Sequence, residues 1–392
     1  MVNELREKYN SNFTEDKYNQ FIDDLNSKLK YPADFRVSET PLFLSKQAVD
    51  ELQSACDSIM EQLQTTEYKK YSTRAIPEGL NVPNEDDHPI FLQIDFALTY
   101  DEHGNILPKL IELQGFPSLY AFQFYLSNTI QKHFSETSNL TNYFSGYDNE
   151  SYKQLFKSIL LGKSEVENVI LLEIEPENQK TRIDFAATEE ITGVKAVCIS
   201  KVVKKGAKLF YEENSKLIPI ERIYNRVIYD ELLRKNFPAG FNFTDELDVC
   251  WVGHPNWFFK ISKFSLPFLK GKNIPKCYFL SDLKEYPADL NNYVLKPLFS
   301  FAGLGVEIDL TPERLDSISE RENYILQEKI EYAPLIKTPD DYSKVEIRMM
   351  YLWDDKPILV NNLIRMSKGK MMGVDFNKNK TWVGSSCAFF EP

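Results

Sequence analysis

Between residues 90 and 114 the chain alternates. Ile90, Leu92, Ile94, Phe96 and Leu98 fall on one face of an extended segment, and Gln93, Asp95 and Thr99 fall on the other. The run Asp101-Glu102-His103-Gly104-Asn105 interrupts the alternation, and Leu107–Gln114 resumes it with Leu110, Glu112 and Gln114 on one face. A period of two around a glycine turn predicts a β-hairpin. With His103-Gly104 as a two-residue loop, facing residues sum to 207, which sets Asp95 opposite Glu112 and Gln93 opposite Gln114.

Elsewhere the period changes. Residues 1–30 are polar with a helical pattern, and Val49, Leu52, Cys56, Ile59 and Leu63 predict a helix over 46–64 with Ser45 as its cap. A helix is expected from Ser118 to about His133, followed by a polar stretch at 136–150 that reads as a boundary. Strand Val169–Leu172, a helical part within 176–192 and strand Val194–Ile199 form a βαβ-like unit. A strand over Ile220–Val227 and a short helix at Asp230–Arg234 follow, with further strands near 276–280, 292–297, 323–330, 344–352 and 357–366. The expected units are 1–150, 151–255 and 256–392.

Two carboxylates facing each other across a ladder repel unless a positive group lies between them. A divalent cation between Asp95 and Glu112 answers that requirement, and Mg²⁺ takes one or two carboxylates together with phosphate oxygens. A hairpin with its acids facing water satisfies the same pattern. Strand Tyr293–Pro297 carries Lys296 into the small-residue loop 298–306, which contains Gly303 and Gly305 and could bring backbone N–H groups to phosphate. An ordinary hairpin loop fits that segment too. In the later hairpin, a loop at Asp355-Lys356 makes facing residues sum to 711 and sets Glu346 against Arg365. An arginine so placed is either half of a cross-strand ion pair or a fork ready for an anion.

The chain of 392 residues carries a net charge of −12, the wrong sign overall for a nucleic-acid-binding field. Five widely spaced cysteines without a CxxC pair, and four histidines without HExxH, argue against disulfide, thiolate or histidine metal chemistry. The first residues lack the apolar core of a signal peptide, and no apolar run is long enough to cross a bilayer, so a cytoplasmic protein with no membrane partner is expected. His254, Cys198 and the cluster Trp251, Trp257, Phe258, Phe259 read as packed rather than catalytic.

The order of these motifs resembles the circularly permuted branch of the ATP-grasp superfamily, which includes eukaryotic-type glutathione synthetase and glutathionylspermidine synthetase. Leu110–Gln114 looks like that branch's metal strand and Asp95 like its extra aspartate. Lys263 and Lys296 resemble the two ATP lysines, with Lys260 a rival for the first. Gln327-Glu328-Lys329-Ile330 resembles the hinge strand that meets adenine, Leu363-Ile364-Arg365-Met366 the Leu-Leu-Arg segment, and Met372-Gly373-Val374 the loop after it. Tyr224–Tyr229, with Arg226 and Tyr229, is similar to the segment that meets the acceptor substrate, where Ser118 would also lie.

The resemblance implies an α/β (α+β) fold, with two α+β lobes around the nucleotide and a Rossmann-like substrate domain. It implies ATP and Mg²⁺ as cofactors, and a small-molecule carboxylate and amine joined through an acylphosphate, with Arg365 and Arg226 as catalytic residues. Segments 298–305 and 367–380 would close over the site. There are three departures: Gln114 stands where asparagine is usual, Leu298-Phe299-Ser300 replaces a metal-binding glutamate, and the loop after Lys296 has only two glycines. They keep open an ATP-binding protein without ligase activity, or a small-molecule kinase. The oligomeric state is open too, a homodimer included.

Overall fold

The computed structural model describes residues 1–299, 305–369, 372 and 377–392. The predicted period-two segments form three sheets. Strands β1 (Phe91–Tyr100) and β2 (Ile106–Gln114) are the expected hairpin, and β3 (Val169–Glu173), β4 (Lys195–Cys198), β5 (Arg222–Asn225) and β6 (Cys250–Val252) follow. Then come β7 (Cys277–Phe279), β8 (Tyr293–Pro297), β9 (Tyr324–Glu328), β10 (Tyr342–Trp353), β11 (Pro357–Ser367) and β12 (Gly384–Ser386).

The large antiparallel sheet runs β12-β11-β10-β1-β2, with Ile336–Lys337 paired to β10. The chain's last third thus completes a sheet that the first hairpin begins. A smaller antiparallel sheet, β7-β9-β8, abuts β2. The four strands β6-β5-β3-β4 are all parallel, as the βαβ reading requires. Their fully apolar centre, Val169 to Leu172, is buried on both faces. The architecture is α/β (α+β), as expected.

The helix Lys46–Leu63 follows its 3.6-residue pattern: Val49, Leu52, Cys56, Ile59 and Leu63 are all buried, and Ser45 Oγ accepts from the Ala48 N–H. The polar stretch 136–150 is tied into the body rather than loose. Thr141 bridges to Phe390, and the buried Asn142 side chain bonds Asn361. A three-stranded meander at Val203–Lys205, Lys208–Glu213 and Lys216–Ile220 was not anticipated; its lysines and glutamates mask the alternation. Leu42–Phe43 pairs in parallel with Ala388–Phe389, drawing the two ends of the chain together. Among the described residues the five cysteines are free, and no helix is long and apolar enough to cross a membrane.

Glu173 closes β3 with only 7% of its surface exposed, its Oε1 accepting the Ile174 N–H at 2.7 Å. Burial pushes its carboxyl up to about 8, with that N–H and Arg226 pulling the other way. The folded chain therefore holds a proton that the unfolded chain releases above its ordinary value of 4.5. Stability from this group is full below that value and falls as pH rises through the folded one. Glu173→Gln imitates the protonated acid, so it is expected to raise stability at pH 7 by roughly 3 kcal/mol and to flatten the decline between pH 4.5 and about 8. Urea unfolding across pH 5–9 checks this.

Candidate functional site

The β1–β2 register places Asp95 opposite Glu112 and Gln93 opposite Gln114, as expected, but by a different route. The turn is one residue out of the expected phase: Tyr100 faces Ile106 across a five-residue loop, with Asp101 accepting from the His103 and Asn105 N–H groups. A β-bulge at Ile111 inserts the missing residue, so Phe96 faces Leu110 while Asp95 faces Glu112. Leu110 therefore joins the apolar face, not the face of Glu112 as the simple alternation implied. The bulge also turns the Ile111 carbonyl toward the small sheet, where Lys296 Nζ donates to it at 3.3 Å. Gln327 donates to the neighbouring Leu110 carbonyl at 3.2 Å. Neither acid faces open water: Asp95 is 2% exposed and the Glu112 side chain 18%.

Gly115 brings the next cation in. Its N–H donates to Ile261 O at 2.7 Å, and a Cβ there would lie 2.4 Å from the Trp257 carbonyl oxygen, so only glycine lets β2 dock against this turn. Ser262 then caps the short 3₁₀ helix Lys263–Phe268 through the Phe264 N–H. Lys263 projects to Glu112 Oε2 at 3.3 Å. Lys260, the rival, turns the other way. It pairs with Glu85 and lies 4.3 Å from the centre of the Trp257 ring.

The large sheet supplies two arginines. Arg348 faces Asp95 across β10–β1 and grips it with both arms, Nε to Oδ1 at 2.7 Å and Nη2 to Oδ2 at 2.6 Å. Arg365 faces Glu346 as the sequence predicted, at 2.6 Å, with Tyr332 donating to the other Glu346 oxygen at 2.6 Å. Here too a bulge at Val360 corrects a turn that is one residue out of phase. The Arg365 side chain keeps 38% of its surface exposed, against 11% for Arg348, so it is the arginine a ligand can reach.

Four cations thus surround Glu112. Burial disfavours its charge, but Lys263, Arg365, Lys296 and Arg348 together outweigh burial and hold its carboxyl down at about 2. Lys296 feels the converse: burial lowers its ammonium pKa, Glu112 resists that, and Lys263 adds to the lowering. Among the described residues, Lys263, Lys296, Arg348 and Arg365 against Asp95, Glu112 and Glu346 leave one positive charge in surplus. The cavity between β2 and the Lys263 turn, lined by Glu112, Gln114, Phe116, Phe258 and Lys263, is about 20 Å³. Among the described residues that admits about one water.

Other expected residues lie elsewhere or have different partners. Arg226 forms a buried pair with Asp184, lies 5.8 Å from the Phe116 ring centre and 5.0 Å from that of Phe185, and so stands behind Phe116. Asp184 also accepts from the Leu119 and Phe122 N–H groups, which gives the pair the work of anchoring the helix Tyr120–His133. Tyr229 is 5% exposed and packs on Phe243 and Phe259. Ser118 offers its carbonyl to Gln93. On the segment expected to act as a hinge, the Glu328 N–H bonds Lys276 O and the Lys329 N–H bonds Asn292 O, and Ile330 lies two residues past the end of β9. Gly305 has φ +74° beside Pro297. Gly303 and most of the loop after Arg365 lie outside the described residues. His254 is buried and bonded to Pro83 O and the Asn256 N–H, a packed histidine as expected.

The expected metal set does not fit this geometry. Both Asp95 oxygens are held by Arg348, and the Gln114 amide donates to Glu112 Oε1 at 2.7 Å. Among the described residues no three acidic, histidine or cysteine side chains converge as a metal site.

A solved structure with a similar fold is a glutathione synthetase-like effector from Globodera pallida in its apo form. It superposes with a TM-score of 0.58 at 11% identity, covering 96% of each chain. No family model and no curated protein matches the sequence. The likeness shows the fold: this chain is built as that glutathione synthetase-like protein is.

Two outcomes follow from the charge cluster. Arg348→Met leaves Asp95 buried without its partner and is expected to cost about 3–5 kcal/mol in chemical denaturation. The depressed Glu112 carboxyl contributes stability that is present above its ordinary 4.5 and lost as pH falls toward about 2. Unfolding free energy should therefore drop through that window, and Glu112→Gln should reduce the drop.

Proposed function

We propose that the chain binds ATP where the small antiparallel sheet meets the large one, and uses it to couple a small-molecule carboxylate to an amine. The convergence of Lys263, Lys296 and Arg365 on Glu112 carries this reading. Three separate elements deliver cations to one half-buried carboxylate, and the surplus charge has the sign a triphosphate needs. The shared fold supports the ligase class as far as a fold can.

In the proposed reaction a substrate carboxylate oxygen attacks the γ-phosphorus, and the bond to the β-phosphate oxygen breaks to release ADP. The amine nitrogen then attacks the acylphosphate carbonyl, loses a proton to solvent and expels phosphate, leaving an amide. Lys263 and Lys296 hold phosphate oxygens, while Arg365 stabilises the transferring group or the substrate carboxylate. Glu112 holds Lys263 at 3.3 Å and opposes the burial that lowers the Lys296 ammonium pKa. Arg226 acts from behind, fixing the helix Tyr120–His133 rather than touching substrate. No step passes through a metal ion, because the acids expected to hold one are already bonded.

A second reading, an ATP-binding protein that does not ligate, is favoured by one observation: Arg348 sits on the carboxylate a ligase would give to magnesium. Incubation with ATP, amino acids and polyamines, followed by mass spectrometry, separates the readings. Amide with ADP is expected; a phosphorylated amine or alcohol would mean a kinase, and binding without turnover would mean the second reading. For binding itself, Lys263→Met or Lys296→Met should weaken ATP at least about tenfold. Lys260→Met, on the far side of its turn, should leave affinity within about twofold. Isothermal titration calorimetry measures all three.

A further inference from the structure

We infer that Arg348 takes the place of a metal ion at Asp95, so that this site grips the phosphates of its ligand without a divalent cation. The inference rests on the nucleotide reading above and sharpens it.

The geometry behind it is a straight row across four strands. Leu363, Arg348, Asp95 and Glu112 face one another in register on β11, β10, β1 and β2. Asp95 and Glu112 would repel across their ladder. The positive group that relieves the repulsion is covalently part of the chain: a guanidinium one strand further along, bonded to both Asp95 oxygens. Carboxylate oxygens spent in two charge-assisted bonds have little left for a cation, which would also be repelled by the arginine itself. The second acid is occupied in the same way, with Lys263 on Oε2 and the Gln114 amide on Oε1.

Arginine and magnesium differ in consequence. A magnesium ion arrives with the nucleotide and bridges its phosphates. The Arg348 side chain is 11% exposed and that of its partner Asp95 3%, so the cation is in place before any ligand. The cation surplus is thus built into the apo protein, through Lys263, Lys296 and the accessible Arg365.

The test is calorimetric titration of the full chain with ATP, once in excess EDTA and once in excess Mg²⁺. The inference expects affinity in EDTA equal to or higher than that with Mg²⁺, since free ATP carries the larger negative charge. Mn²⁺ titration followed by electron paramagnetic resonance should show no tight protein site in the wild type, and one appearing in Arg348→Met, where both oxygens of Asp95 are released. Binding that needs Mg²⁺, or a tight Mn²⁺ site in the wild type lost in Asp95→Asn, overturns the inference while leaving the nucleotide reading intact. Absence of ATP binding in both media removes the nucleotide reading and this inference with it. The wild-type titrations need no variant, so a failure of Arg348→Met to fold does not blunt them.

Discussion

Arg348 held in both oxygens of Asp95 is the constraint around which the interior of the large sheet is arranged. A carboxylate that is 2% exposed needs a partner, and this one obtains it from the adjacent strand in the same register row. The neighbouring acid, Glu112, takes Lys263 from a turn docked through Gly115, and stands beside Lys296, which is anchored on the carbonyl exposed by a bulge. Every charge in the row fixes another, so the small sheet and the large one are joined by electrostatics and backbone bonds at one place. That junction is also where we propose that phosphate binds.

Both hairpins were legible from alternation, and both cross-strand pairs, Asp95 with Glu112 and Glu346 with Arg365, stand in the register read from sequence. Each agreement conceals two cancelling errors: a turn one residue out of phase, and a bulge at Ile111 or Val360 that restores the count. Alternation cannot reveal a bulge when the extra residue is itself apolar, as both of these are. Plain alternation puts Leu110 on the acidic face, whereas the bulge moves it to the apolar one and presents the Ile111 carbonyl to Lys296.

What the sequence could not show was which partner each charge would take. Arg348 lies two residues from Glu346 in sequence, but its pairing with Asp95 depends on β10 lying beside β1, about 250 residues away along the chain. Arg226 looked equally suited to a substrate, and only the fold puts Asp184 beneath it and Phe116 in front. Lys260 and Lys263, three residues apart, were not separable until Gly115 fixed the orientation of their turn; the structure sends Lys263 to Glu112 and Lys260 to Glu85. The short helices and strands were easier, because burial patterns within one element are local, whereas charge pairing is a property of topology.

The central claim is that cations from two sheets converge to receive phosphate while Arg348 stays on Asp95. A crystal structure of the chain with a non-hydrolysable ATP analogue, grown in the presence of Mg²⁺, tests it most directly. The account predicts phosphate oxygens within hydrogen-bonding reach of Lys263, Lys296 and Arg365, with both Arg348–Asp95 bonds intact. An analogue bound away from β2, or a metal ion lodged between Asp95 and Glu112 with Arg348 swung aside, would contradict it.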